Sequence, residues 1–114
     1  MNLELKTLIE TVEGEILSNH KPEDTFEINN GYASDLLSDV MGNAGSDLIW
    51  ITIMRHLNSV AVASLAGIPL IIFSKGAVPD APIIEKANQE EICLVTSKLP
   101  TFEISGRVYN LLKS

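Results

Sequence analysis

The sequence predicts a three-layer α/β/α fold, a single domain over residues 1–114 with a mainly parallel core sheet and helices on both faces. Three observations carry this. The stretches 48–54, 69–73 and 92–95 are almost wholly apolar and rich in Ile, Leu and Val, as strands covered on both faces should be. Helix-patterned segments separate them with short connections, which implies right-handed crossovers. Hydrophobic residues make up 46% of the 114 residues but aromatics only 5%, so the core is aliphatic. A chain of this length can bury one such core.

The elements follow in order. Leu3, Leu5, Leu8, Ile9 and Val12 share one face of a first helix, which Gly14 ends. Residues 15–18 read as a short strand, the polar run 20–24 with Pro22 as a turn, and 25–28 as another strand. Asn29, Asn30 and Gly31 tolerate positive φ and predict a second turn. Leu36, Leu37, Val40 and Met41 then recur at helical spacing, with Ser34 or Asp35 as N-cap, Gly42 as the end, and 42–47 as loop. The strand over 48–54 places Trp50 in the core. Small residues over 60–66 make a helix able to lie close to the sheet, closed by Gly67. The strand 69–73 contributes Phe73 to the core, Asp80 caps a helix reaching Glu91, 92–95 is the third core strand, and 99–112 is the last helix. The alternating first third predicts antiparallel edge strands.

Composition excludes several classes. Net charge is −7, and the eight basic residues form no stripe, which argues against nucleic acid or anionic lipid as a partner. Cys93 is the only cysteine and sits in a short apolar strand, so it reads as a buried small hydrophobe. Neither an internal disulfide nor an iron–sulfur cluster nor a thiolate zinc site is expected. His20 and His56 are far apart in sequence, leaving a histidine metal site without ligands, and no cofactor is expected. The amphipathic start MNLELKTLIE is unlike a signal peptide, and the longest apolar run, 59–73, contains Gly67 and Pro69 and is too short to span a bilayer. The expectation is a cytoplasmic protein without a membrane partner.

Ligands of open parallel sheets sit beyond the carboxyl ends of the strands. There the sequence places Arg55, His56 and Asn58, then Ser74, Lys75 and Gly76, then Thr96, Ser97 and Lys98. Three of the eight basic residues thus fall at one predicted edge of an acidic chain, beside helix N-termini whose N–H groups favour anions. The candidate ligand-binding set is Arg55, His56, Asn58, Lys75, Thr96, Ser97 and Lys98, for a small anion or nucleotide; the alternative is that polar loops simply carry lysines. His56 reads as a general base, a phosphate contact or the cap of an element end. Asp35 and Asp39 lie four apart, a spacing that suits weak magnesium binding or acid–base work, or else the favourable interaction of acids with a helix N-terminus. No G-x-x-x-x-G-K-[ST], G-x-G-x-x-G or G-x-S-x-G occurs, and no catalytic residue is assigned.

The segments GYASDLLSDVM, DLIWIT, HLNSVAVASLAGI, PDAPIIEKA and TSKLPTFEISGRVYNLL, in this order and spacing, resemble the DRTGG domain family over nearly the whole chain, best from Gly31 onward. Such domains are similar to the N-terminal domain of HPr kinase/phosphorylase, and stand-alone copies are often encoded near iron-only hydrogenase components. The resemblance implies a three-layer α/β fold, frequent homodimerisation and a regulatory role without a settled activity. The family's threonine–glycine–glycine stands here as Asn29, Asn30 and Gly31. Kinase activity is not implied, because the phosphate-binding loop belongs to a separate domain of that enzyme. The resemblance also implies that Gly31, Asp35, Ser38 and Asp39 face a cleft or a second subunit. The reading is a non-catalytic, homodimeric regulatory or ligand-sensing domain. Its alternatives are an accessory subunit of a hydrogenase-type redox complex, and a small enzyme on a phosphorylated substrate using His56 with Asp35 or Asp39.

Overall fold

The computed structural model describes residues 1–43 and 45–113. Its elements are β1 (Asn2–Glu4), α1 (Leu5–Val12), β2 (Gly14–Ile16), β3 (Thr25–Glu27), β4 (Asn30–Ala33), α2 (Leu37–Asn43), β5 (Leu48–Thr52), α3 (Leu57–Ala66), β6 (Leu70–Phe73), α4 (Ala81–Gln89), β7 (Cys93–Ser97) and α5 (Thr101–Lys113). The main sheet runs β2-β7-β6-β5-β4, with β4, β5, β6 and β7 parallel and β2 antiparallel at one edge. β1 and β3 form a separate antiparallel ribbon.

Sequence dictates the layering. Every residue of β5, β6 and β7 is buried, and alternate side chains feed two cores because strand side chains alternate between faces. Ile49, Ile51, Leu70, Ile72, Cys93 and Val95 meet Leu5, Leu8 and Val12 of α1 and Ile104 and Val108 of α5. Trp50, Ile71, Phe73 and Leu94 meet Val40 of α2, Val60 and Ala63 of α3 and Ala87 of α4. The parallel strands step one way across the sheet, so right-handed crossovers put α2, α3 and α4 on the same face. The predicted three layers are present.

The front of the chain departs from its sequence pattern. Leu3 belongs not to the first helix but to β1, where it sits opposite Phe26. α1 ends at Val12, before Gly14, because Glu13 takes the left-handed conformation at φ 54°. Gly14 opens β2 and is there for close approach, since a Cβ would come within 2.8 Å of Val95 Cγ1. Asn30 and Gly31 do not form a turn: both lie in β4, paired in parallel with Leu48 and Ile49, and Gly31 is not among the positive-φ residues. The predicted antiparallel edge is therefore β2 alone, while the opposite edge, β4, is parallel.

Smaller shifts concern ends. α2 starts at Leu37 and runs through Gly42 to Asn43, and the predicted loop over 42–47 includes Ala44, which lies outside the described residues. β5 stops at Thr52, α3 begins at Leu57, α4 stops at Gln89, β7 extends to Ser97 and α5 begins at Thr101. Gly67 closes α3 in the left-handed conformation at φ 75°, as expected. No helix among the described residues is long and apolar enough to cross a membrane.

Candidate functional site

The carboxyl ends of β5, β6 and β7 share one edge of the sheet, and α3, α4 and α5 start from it. The structure divides this edge into two hollows. One, of about 250 Å³, is lined by Arg55, His56 and Leu57 at the start of α3 and by Asp80 and Ile83 at the start of α4. The other, of about 360 Å³, is lined by Gly76, Val78, Thr96, Lys98 and Leu99, with Glu13 and Glu15 closing it from the β2 side. The segment after β6 runs between them: the Arg55 guanidinium donates to the Val78 carbonyl at 3.4 Å, and the Thr96 hydroxyl donates to the Ala77 carbonyl at 2.8 Å.

The predicted cations are therefore split. Arg55 and His56 share the first hollow, Lys98 lines the second, and exposed Lys75 lines neither. Asn58 lies exposed in the first turn of α3. Ser97 is buried, its hydroxyl donating to the Val12 carbonyl at 2.6 Å and accepting from the Leu99 N–H at 3.2 Å. Ser74 is likewise buried against the Thr101 hydroxyl at 2.6 Å. These hydroxyls hold the edge together.

Topology and charge favour different hollows. The connection from β6 goes to α4 on one face and that from β7 to α5 on the other, so the second hollow lies where the crossovers diverge, the usual ligand position in open α/β sheets. Backbone donors beside it are already used: the Lys75 N–H bonds the Leu99 carbonyl at 2.9 Å and the Gly76 N–H the Ser97 carbonyl at 2.7 Å. Two glutamates face one lysine there. The first hollow combines an arginine and a histidine with the N-termini of two helices. Neither His56 nor Asp80, the N-cap residues, caps with its side chain. Pro82, however, carries no N–H, and the Ser59, Ile83 and Ile84 N–H groups bond the N-cap carbonyls at 2.9, 2.9 and 3.2 Å. Of the first N–H groups that lack intrahelical partners, the hollow therefore keeps mainly those at the start of α3. Asp80 offsets Arg55 in the first hollow, whereas two glutamates outweigh Lys98 in the second, so charge makes the Arg55–His56 hollow the better candidate for an anion.

The segment from Gly31 to Met41 is a clasp. The Tyr32 hydroxyl donates to Asp39 Oδ2 at 2.8 Å, joining β4 to α2. Trp50 Nε1 donates to the Ser34 carbonyl at 2.9 Å, and the Ser34 hydroxyl accepts from the Leu36 N–H at 3.2 Å. Asp35 accepts from the Thr52 hydroxyl at 2.8 Å and the Ile53 N–H at 3.0 Å, tying the helix entry to the end of β5. Asp35 and Asp39 thus have separate partners. Ser38 is exposed, and Gly31 lies under α5, where a Cβ would meet Val108 Cγ1 at 3.4 Å. The Asp39 carboxylate raises the Tyr32 pKa above its ordinary 10.0, by accepting the phenol proton's hydrogen bond and by its charge. Among the described residues no three His, Cys, Asp or Glu side chains gather as metal ligands.

Two features escaped the sequence reading. Asp80 looked only like a cap but also lines the Arg55–His56 hollow; its place just after a core strand was the available signal. The other is a hollow of about 140 Å³ between β4 and α5, lined by Gly31, Ala33, Ile51, Val108, Tyr109 and Leu112 among others. No local pattern announces it.

A three-layer α/β fold with a mostly parallel sheet and polar clefts at its carboxyl edge defines the broad class, an open α/β architecture. No family model and no curated protein matches the sequence. Among solved structures, the chain is similar to the CBS and DRTGG domains of the regulatory region of Clostridium perfringens pyrophosphatase, complexed with its activator diadenosine tetraphosphate, at TM-score 0.78 and 19% identity over 92% of this chain. The match spans 45% of that chain. The fold is DRTGG-like.

Proposed function

We propose that this domain is a non-catalytic regulatory module that senses a nucleotide or other small anion at the carboxyl ends of its parallel strands, and that it works as a homodimer. The observation that carries the reading is the gathering of Arg55 and His56 at the N-termini of α3 and α4. Asp80 on the same wall refines the ligand. A bare phosphate would meet its carboxylate unfavourably, whereas a nucleotide can set a phosphate against Arg55 and a sugar hydroxyl against Asp80. Regulation by a nucleotide accords with the activator bound to the structurally similar pyrophosphatase region.

Thermal-shift and calorimetric titrations with ATP, ADP, diadenosine tetraphosphate and inorganic phosphate test this, because a ligand that binds only the folded state raises the apparent stability. At least one nucleotide should raise Tm without being consumed. Arg55→Ala should then weaken its binding about tenfold or more, the effect of losing one charge-assisted hydrogen bond. Lys98→Ala distinguishes the second hollow from the first. Lys86 of α4, which pairs with Glu90 just past the helix end at 3.0 Å, is the control. Equal losses for Arg55→Ala and Lys86→Ala would mean diffuse attraction instead of a site, and turnover of the nucleotide would favour the enzyme.

A further inference from the structure

We propose that two copies of this chain dock through α5 about a two-fold axis near Gly106, each inserting its Phe102 into the hollow between β4 and α5 of the other. The inference rests on the homodimer reading above and names its surface.

Plug and socket are both present on one face. The socket is the hollow of about 140 Å³, walled by Gly31, Ala33 and Ile51 of the sheet and by Val108, Tyr109 and Leu112 of α5. Asn30, Ser105 and Lys113 complete its rim. A cavity of about 150 Å³ is enough for benzene, so its apolar part is of the size of a phenyl ring. The plug is Phe102, the most exposed large apolar side chain at 91%, followed on the same helix by Tyr109 at 64%. With 3.6 residues per turn, positions 102, 106, 109 and 113 form one stripe along α5.

The spacing suits a two-fold. Antiparallel packing of α5 on its copy, centred on Gly106, sets Phe102 of one chain at the level of Asn110 of the other, between the Tyr109 and Leu112 that line the socket. Gly106 lies inside a helix, where glycine is a poor former, and a Cβ built on it would meet nothing within 4 Å. Its lack of a side chain lets two helices approach closely at the axis. A patch that carries both knob and hole closes on its own copy, as an isologous contact must.

Charge points to the same face. In a chain of net charge −7, most surfaces of a second copy repel the first. The socket has no acidic residue; its one charge is Lys113, placed over the Tyr109 ring at 5.8 Å. The nearby Glu103 is held by Arg107 at 2.6 Å, and Arg107 also meets Glu13 at 2.9 Å, toward α1. Aromatic side chains bury about 150–250 Å² each, so the two copies of Phe102 and Tyr109 supply a large part of the roughly 1,200 Å² that a stable interface needs.

Sedimentation velocity on the whole chain over about 1–100 μM tests the idea, with far-UV circular dichroism confirming that each variant is folded. The wild type should dimerise. Phe102→Ala, which removes the plug, and Ala33→Leu, which fills the socket from exposed Ala33, should each weaken the dimer at least tenfold. Leu65→Ala, which trims a 79% exposed side chain on α3, should leave it within twofold of the wild type. A monomeric wild type at 100 μM would overturn the homodimer reading and this surface with it. A wild-type dimer untouched by Phe102→Ala and Ala33→Leu would sink the surface and keep the dimer. Equal weakening by Leu65→Ala would show unspecific apolar association and reject the socket.

Discussion

At the scale of residues, three side chains set the chemistry that can be measured. Cys93 is buried in β7, and burial pushes its thiol from 9.0 up to about 11. Since the thiolate is the reactive form, an aromatic disulfide at pH 8 should modify the native protein about a hundredfold or more slowly than the urea-unfolded chain; equal rates would show that the strand opens readily. Tyr32 has its pKa raised above 10.0 by Asp39. A group whose folded pKa exceeds its unfolded one adds stability below the unfolded value and loses it as pH rises through the folded one. Urea midpoints should therefore decline above about pH 10, and less steeply in Tyr32→Phe. Asp35→Ala should cost about 1–2 kcal/mol by orphaning the Thr52 hydroxyl and the Ile53 N–H; an unchanged urea midpoint would refute the clasp. The burial of Cys93 was legible from its apolar neighbours. The clasp was not, because the spacing of Asp35 and Asp39 says nothing about which strand end or phenol will stand opposite each carboxylate.

At the scale of elements, two glycines, one ending α3 and one inside α5, should respond with opposite signs. Gly67 ends α3 at φ 75°, where an L side chain is strained, so Gly67→Ala should lower stability by about 1–2 kcal/mol. Gly106 sits inside α5 with open space around it, so Gly106→Ala should raise the stability of the dilute, dissociated chain by about 0.5–1 kcal/mol. Chemical denaturation at low micromolar concentration checks both, and a shared sign would contradict the backbone assignment. Core elements were readable because 48–51, 70–73 and 93–95 are continuous apolar runs and Gly67 ends α3 in the left-handed conformation that glycine takes readily. The front third was harder. Leu3 extends the helical pattern of α1 perfectly well, yet pairing with Phe26 makes it strand, and that partner lies far along the chain. Asn30 and Gly31 are good turn residues locally, but pairing with Leu48 and Ile49 draws them into β4. Tertiary pairing overrode local preference in each case.

For the whole molecule, salt separates the two proposed activities, because they respond to it in opposite directions. Each copy carries a net charge of −7, so association brings two like-charged bodies together. The proposed contact is mainly apolar, with Lys113 the one charged residue lining its socket and no acidic one there. Raising ionic strength from about 0.05 to 0.5 M shrinks the screening length severalfold, weakens that repulsion, and should tighten the dimer severalfold. Nucleotide binding at exposed Arg55 and His56 depends on attraction to cationic groups and should loosen over the same range. Sedimentation velocity and isothermal titration on one sample, at several sodium chloride concentrations, read the two slopes side by side. Dissociation of the dimer by salt would mean that ion pairs carry the interface, which the Phe102 socket does not allow. A ligand affinity indifferent to salt would move the site away from the Arg55–His56 edge.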